Sequence, residues 1–136
     1  MKKIKCGDVF EIGTKNGKAF FEYAKEPPAT ECEVIRILPG IYKESEIIDF
    51  NTLTEEKELF FIQFPLKYAV KQKSVKFIGN YRIPEAVSIP KYYRDKHIVK
   101  GEFLSWHIID SDTLQIRSVK ELSDEEKKTI SSKYME

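Results

Sequence analysis

Two histidines, two cysteines and a few adjacent carboxylates are the residues of this 136-residue chain whose chemistry suits catalysis or metal binding. His97 lies in the basic stretch Lys91 to Lys100, and His107 in Phe103-Leu104-Ser105-Trp106-His107-Ile108. A general base needs a partner within hydrogen-bond reach and a group to orient it. Nothing in the sequence sets the two imidazoles together, so they read as a solvated loop histidine and a strand histidine on a polar face. A thiol nucleophile needs an electropositive pocket such as a helix start. Cys6 precedes a predicted strand and Cys32 lies in one, so both read as small buried hydrophobes. Without CxxC spacing or a neighbouring histidine no metal site is expected from them, and without an export signal, in a domain large enough to rely on its core, they read as reduced thiols rather than a disulfide.

Glu55-Glu56 and Asp124-Glu125-Glu126 fall at predicted helix starts, where the helix dipole accounts for them. No GxSxG, HExxH, Walker A or GxGxxG run occurs, and the six glycines are scattered, which argues against a phosphate cradle. The chain is therefore expected to be no enzyme, to use no cofactor and to hold no metal. Binding another macromolecule is the class of function that remains.

Charge gives that class its candidates. Lys91-Tyr92-Tyr93-Arg94-Asp95-Lys96-His97 interleaves cations with aromatic rings, which suits a phosphate backbone with stacked bases. The same residues suit tyrosines buried against a sheet with their cations in water, and no RNP-like or helix-turn-helix context surrounds them. Lys91, Tyr92, Tyr93, Arg94 and Lys96 form the candidate nucleic-acid patch, the lesser reading. Between Glu22 and Leu66 ten acids stand against four bases, and between Lys67 and His97 eight bases stand against two acids. The formal net charge of +1 thus hides a chain that is acidic before Lys67 and basic after it. Such asymmetry points to charged partners unless folding interleaves the halves.

These residues need a scaffold, and the hydrophobic pattern supplies one. Val9 to Ile12 alternates before Asn16-Gly17, a strong hairpin signal, and Lys18 to Lys25 continues as a second strand. Pro27-Pro28 ends the hairpin, because proline removes ladder donors. Cys32 to Leu38 reads as a third strand closed by Pro39-Gly40. Residues 41–58 form an acidic, irregular connector, expected to be mobile, with a short strand at Ile47 to Phe50 and a helical turn at Thr54 to Lys57. Leu59 to Phe64 is a strand stopped by Pro65, and Leu66 to Gln72 a short helix. Val75 to Tyr81 is a strand whose Gly79 marks a bulge or a close backbone approach. Phe103 to Ile109 and Thr113 to Val119 make a second hairpin around Asp110-Ser111-Asp112. Ser123-Asp124-Glu125-Glu126 is a capping box, predicting a helix over 123–134.

The expected fold is α+β, mostly β: a single antiparallel, strongly twisted or barrel-like sheet opened by an N-terminal hairpin, with a short C-terminal helix. Residues 1–136 are expected to form one domain with a flexible start at 1–5. An apolar share of 41% and an aromatic share of 12% are ample for a core and argue against disorder. Met1-Lys2-Lys3-Ile4-Lys5 is not followed by an apolar leader, and no run reaches the roughly 20 residues that cross a bilayer. A cytoplasmic protein without a membrane partner is expected.

Several segments in order resemble the immunity proteins of bacterial polymorphic toxin systems, most closely the immunity protein 26 family. They are Gly7-Asp8-Val9-Phe10-Glu11-Ile12, Gly17-Lys18-Ala19-Phe20, Phe64-Pro65, Lys76-Phe77-Ile78-Gly79, Ile83-Pro84 with Ile89-Pro90, and Trp106-His107-Ile108-Ile109-Asp110. The likeness runs from residue 7 to about residue 120. It implies a protein that binds a cognate toxin domain and blocks it, as a monomer or weak dimer before the complex forms. Glu44, Glu46, Asp49, Glu55, Glu56 and Glu58 are the candidate toxin-binding residues, suited to a basic toxin such as a nuclease.

Overall fold

The computed structural model describes residues 3–26, 32–110, 113 and 115–131. Strands β1 (Asp8–Thr14) and β2 (Gly17–Lys25) pair antiparallel from Thr14 opposite Gly17 inward, with Lys15 and Asn16 as the loop. Strands β3 (Glu33–Ile37) and β4 (Phe60–Phe64) extend the sheet on one side. On the other side β5 (Val75–Asn80) pairs with β1, and the register shifts between Val9 and Phe10, where Val9 faces Gly79. The glycine expected to mark a bulge sits at one.

The inner strands are apolar on both faces, as strands covered on both sides must be. One face carries Phe10, Phe21, Tyr23, Ile35 and Ile62 and is capped by helix α2 (Leu66–Lys71) through Leu66. The opposite face carries Val9 and Phe20 and is covered by the connector, which packs Leu53, Phe50, Ile48 and Tyr42 onto it. Gly17 makes that return possible: at φ +141 its missing Cβ would lie 2.3 Å from the Tyr42 carbonyl oxygen. Lys18 and Tyr42 then exchange backbone hydrogen bonds of 2.8 Å.

Strands β6 (Tyr92–Val99), β7 (Glu102–Asp110) and β8 (Ile116–Val119) form an antiparallel group of three beside the group of five. The two groups are joined by β9 (Ile130–Ser131), which lies parallel to both β4 and β6, so the order is β5-β1-β2-β3-β4-β9-β6-β7-β8. The fold is mostly β and antiparallel, as expected, apart from this parallel seam.

Four expectations are corrected. In place of a helix over 123–134 there is a single 3-10 turn at Glu126–Lys128, after which Thr129 is extended and β9 begins. The capping box is present, with the Ser123 N–H donating to Glu126 Oε1 at 2.9 Å and the Glu126 N–H to Ser123 Oγ at 3.2 Å. Burial of Ile130 between Val34, Phe61 and Tyr93 outweighs helix propagation, which is weak over one turn. Residues 132–134 of that helix lie outside the described residues, as do Pro27, Pro28, Ser111 and Asp112. The stretch Lys91 to Lys100, expected as a loop, is chiefly strand β6, turning at Lys100 and Gly101, both at positive φ. The connector has no strand at Ile47 to Phe50. Its helix is α1 (Phe50–Leu53), started by Asp49 rather than by Thr54.

Candidate functional site

A buried ion pair fixes the acidic connector from below. Glu22 on β2 and Arg36 on β3 are direct cross-strand partners on the face that the connector covers. Arg36 Nε donates to Glu22 Oε1 at 2.8 Å, and both side chains are completely buried. The rest of the guanidinium points at the connector: Nη2 donates to the Thr54 carbonyl at 2.5 Å and Nη1 to the Glu56 carbonyl at 3.2 Å. Glu58 Oε1 lies 3.6 Å from Nη1. A planar fork with five donors can serve a carboxylate and two carbonyls at once, which an ammonium cannot do in this geometry. Burial pushes the Glu22 carboxyl up to about 7 even though Arg36 pulls it down. Thus Thr54 to Glu58, expected to be a mobile stretch, is tied to the core through its own backbone.

The six acidic candidates separate by what their carboxylates already do. Asp49 caps α1, accepting from the N–H groups of Asn51 and Thr52 and from the Thr52 hydroxyl, and these bonds hold its carboxyl below the ordinary range. Glu46 accepts the Lys43 N–H at 3.0 Å, and Glu58 is half-buried beside Arg36. Glu44, Glu55 and Glu56 are exposed, and among the described residues nothing engages their carboxylates. Ile47 is 99% exposed, at the rim of a shallow cleft of about 260 Å³ that Glu46, Asp49 and Glu56 also line. An apolar tip with acids beside it suits the anchor and polar rim of a protein interface. Nothing in the sequence singled out Ile47.

The basic candidates are divided by strand geometry. Because β6 alternates, Tyr92, Arg94 and Lys96 face one way and Tyr93 the other. Tyr93 is 1% exposed and packs with Ile130, so it offers no ring to a ligand. Lys96 Nζ stands 5.6 Å over the Trp106 ring, and Lys91 pairs with Asp110 at 3.3 Å. Arg94 Nη1 donates to the carbonyls of Lys127 at 3.2 Å and Thr129 at 2.5 Å. Of the five candidates of this lesser reading, Tyr93 is thus withdrawn from the surface, while Lys91, Tyr92 and Arg94 line one cleft.

The two charged regions end on one groove along the parallel seam. Glu55 and Glu56 line a cleft of about 360 Å³ beside Pro84 and Val87. Lys91, Tyr92 and Arg94 line an adjoining cleft of about 550 Å³ with Lys57, Lys127 and Lys128. Lys57, Glu58 and Ser88 border both clefts, so the groove is acidic at one end and basic at the other. Lys127 and Lys128 had no place in the sequence reading, which put them on a helix.

No family model, curated protein or solved structure matches the chain.

The two histidines and two cysteines are placed apart from the groove. His97 and His107 do meet, across β6 and β7, with ring centroids 4.5 Å apart, and Asp95 is the register partner of His107. The Lys100-Gly101 turn between two aromatic runs was the signal for that encounter. Among the described residues no hydrogen bond joins either imidazole to a carboxylate or hydroxyl, and no three metal-ligating side chains converge. Cys6 is exposed and Cys32 half-buried, so neither is the buried hydrophobe expected. Partial desolvation keeps the Cys6 thiol above its ordinary range, the opposite of an activated nucleophile. No helix among the described residues is long and apolar enough to cross a membrane.

Proposed function

We propose that this chain is an immunity protein, which binds a cognate bacterial toxin domain in the cytoplasm and neutralises it without chemistry of its own. The observation that carries the reading is the acidic connector: Glu44, Glu55 and Glu56 present unengaged carboxylates, and the fully exposed Ile47 shares a cleft with Glu56. The segment holding Glu55 and Glu56 is tied to the buried Arg36. A pre-ordered acidic surface loses little entropy on binding, and it steers a basic partner such as a nuclease into place while rejecting acidic ones.

The landmarks that resemble immunity proteins support the reading through architecture. Asp8-Val9-Phe10 and Phe77-Ile78-Gly79 are adjacent strands, and Asn80 Nδ2 donates to Asp8 Oδ1 at 2.9 Å and to the Cys6 carbonyl at 3.1 Å. They build the frame on which the acidic face sits. The strongly twisted, barrel-like sheet belongs to the same reading, supported by register shifts at Val9/Phe10, Tyr23/Lys25 and His97/Ile98, since bulges increase local twist. Co-expression with the product of the adjacent upstream gene, and with any neighbouring toxin domain, tests the proposal. A stoichiometric complex that protects cells is expected, and loss of protection on replacing His97 or His107 with Gln would point to an enzyme instead.

A further inference from the structure

We infer that the basic end of the seam groove binds a small phosphate ester carrying a planar ring, of the chemical class of a nucleotide. The inference begins with a 3-10 turn that is fixed from three sides. Ser123 and Glu126 bond reciprocally, Arg117 Nη1 reaches Glu126 Oε2 at 2.6 Å, and Arg94 holds the carbonyls of Lys127 and Thr129. These contacts order Lys127 and Lys128 and leave their charge uncompensated, because the Glu126 carboxylate is occupied by Ser123 and Arg117. Lys57 enters the same cleft from the connector. Among the described residues no hydrogen bond or ion pair engages the ammonium of Lys57, Lys127 or Lys128.

Ammonium groups gathered on one concave surface repel one another, and a bound anion relieves that repulsion. The acids in the lining are Glu58, turned to Arg36, and Glu125, so the cations prevail. A cleft of about 550 Å³ has the size of a small-molecule site rather than of a macromolecular face. Lysine is a compact charge with three donors, suited to a dianionic phosphate, and the ordered turn fixes the backbone from which two of them project. Beside them Phe60 and Tyr92 are 50% and 38% exposed and give a planar ring an apolar wall to stack on. The site lies at the opposite end of the groove from Glu55 and Glu56 and goes beyond the toxin-binding reading without resting on it.

Calorimetric titration of the full chain with AMP, inorganic phosphate and a 5′-phosphorylated RNA oligonucleotide, at low and at high salt, tests the inference. AMP is expected to saturate the site and to weaken as salt is added. The Lys127→Gln/Lys128→Gln variant, with an unchanged melting temperature, is expected to lose roughly tenfold or more in affinity, the scale of charge-assisted bonds. Tyr92→Ala is expected to weaken AMP while leaving inorganic phosphate unaffected. RNA binding more tightly than AMP supports the site with a strand end as its source, and AMP binding as tightly supports the free nucleotide. No saturable binding of any probe at low salt, or equal affinity in the double-lysine variant, overturns the inference. Lys57→Gln, on a different segment, repeats the test should the turn variant misfold.

Discussion

Arg36 and Glu22 face each other across β2 and β3, joined at 2.8 Å and excluded from water, and the same guanidinium holds the connector that carries the candidate binding face. Removing Arg36 takes the donor from the buried Glu22 carboxyl and from the Thr54 and Glu56 carbonyls, leaving those polar groups unsatisfied. Arg36→Met is expected to cost about 3–5 kcal/mol in denaturant unfolding, and Glu22→Leu/Arg36→Met together less than the sum of the two single changes. A cost under about 1 kcal/mol for Arg36→Met, the scale of an exposed pair, would contradict the burial described.

The raised Glu22 carboxyl makes stability depend on pH. Its ordinary value is 4.5 and its value in the fold about 7, so between these limits the folded state holds a proton that the unfolded state has released. This contribution is present in full below pH 4.5, declines as pH rises, and is exhausted above about pH 7. At about 1.4 kcal/mol per pKa unit it is on the order of 3 kcal/mol. The difference in melting temperature between the wild type and Glu22→Gln, followed across that window, should change in the wild type's disfavour as pH rises. A flat difference would show that the carboxyl is not shifted upward.

Gly17→Ala should be among the more damaging small substitutions. The added Cβ would meet the Tyr42 carbonyl oxygen at 2.3 Å, and φ +141 is itself unfavourable for alanine. A loss of about 2 kcal/mol or more is expected, with faster amide exchange at Lys18 and Tyr42. Gly13→Ala, with open space around its Cβ position, is the matched control.

Ile130 separates a seam strand from a helix at the C-terminal end. Completely buried, Ile130→Ala is expected to cost about 2–5 kcal/mol. On an exposed helix the same change would be neutral or slightly stabilising, since alanine has the higher helix propensity.

The sequence revealed most where local chemistry decides the outcome. Asn16-Gly17, Pro65 and the alternation from Val9 to Ile12 act within a few residues, and the elements they imply are present. The Ser123–Glu126 box is also local and also present, but whether a helix follows it depends on Ile130 finding a place between β4 and β6, a tertiary matter. In the basic run from Lys91 to Lys96 strand alternation sends Tyr93 into the core, a choice that the run's composition left open. For the acidic face, composition located the segment and could not rank its members, since Asp49 and Glu46 are engaged by their own backbone neighbourhood. Glu22 and Arg36 did leave a trace, a charge inside each of two strands whose immediate neighbours, Phe21 and Tyr23 or Ile35 and Ile37, are apolar or aromatic.

The most direct measurement is calorimetric titration of the chain against the toxin domains found among the products of neighbouring genes, with and without Glu55→Lys/Glu56→Lys. The account predicts a one-to-one complex that weakens with salt and loses roughly tenfold or more in affinity in the charge-reversed variant, whose melting temperature is unchanged. No complex with any of these toxin domains, or one of equal affinity in the variant, would contradict it.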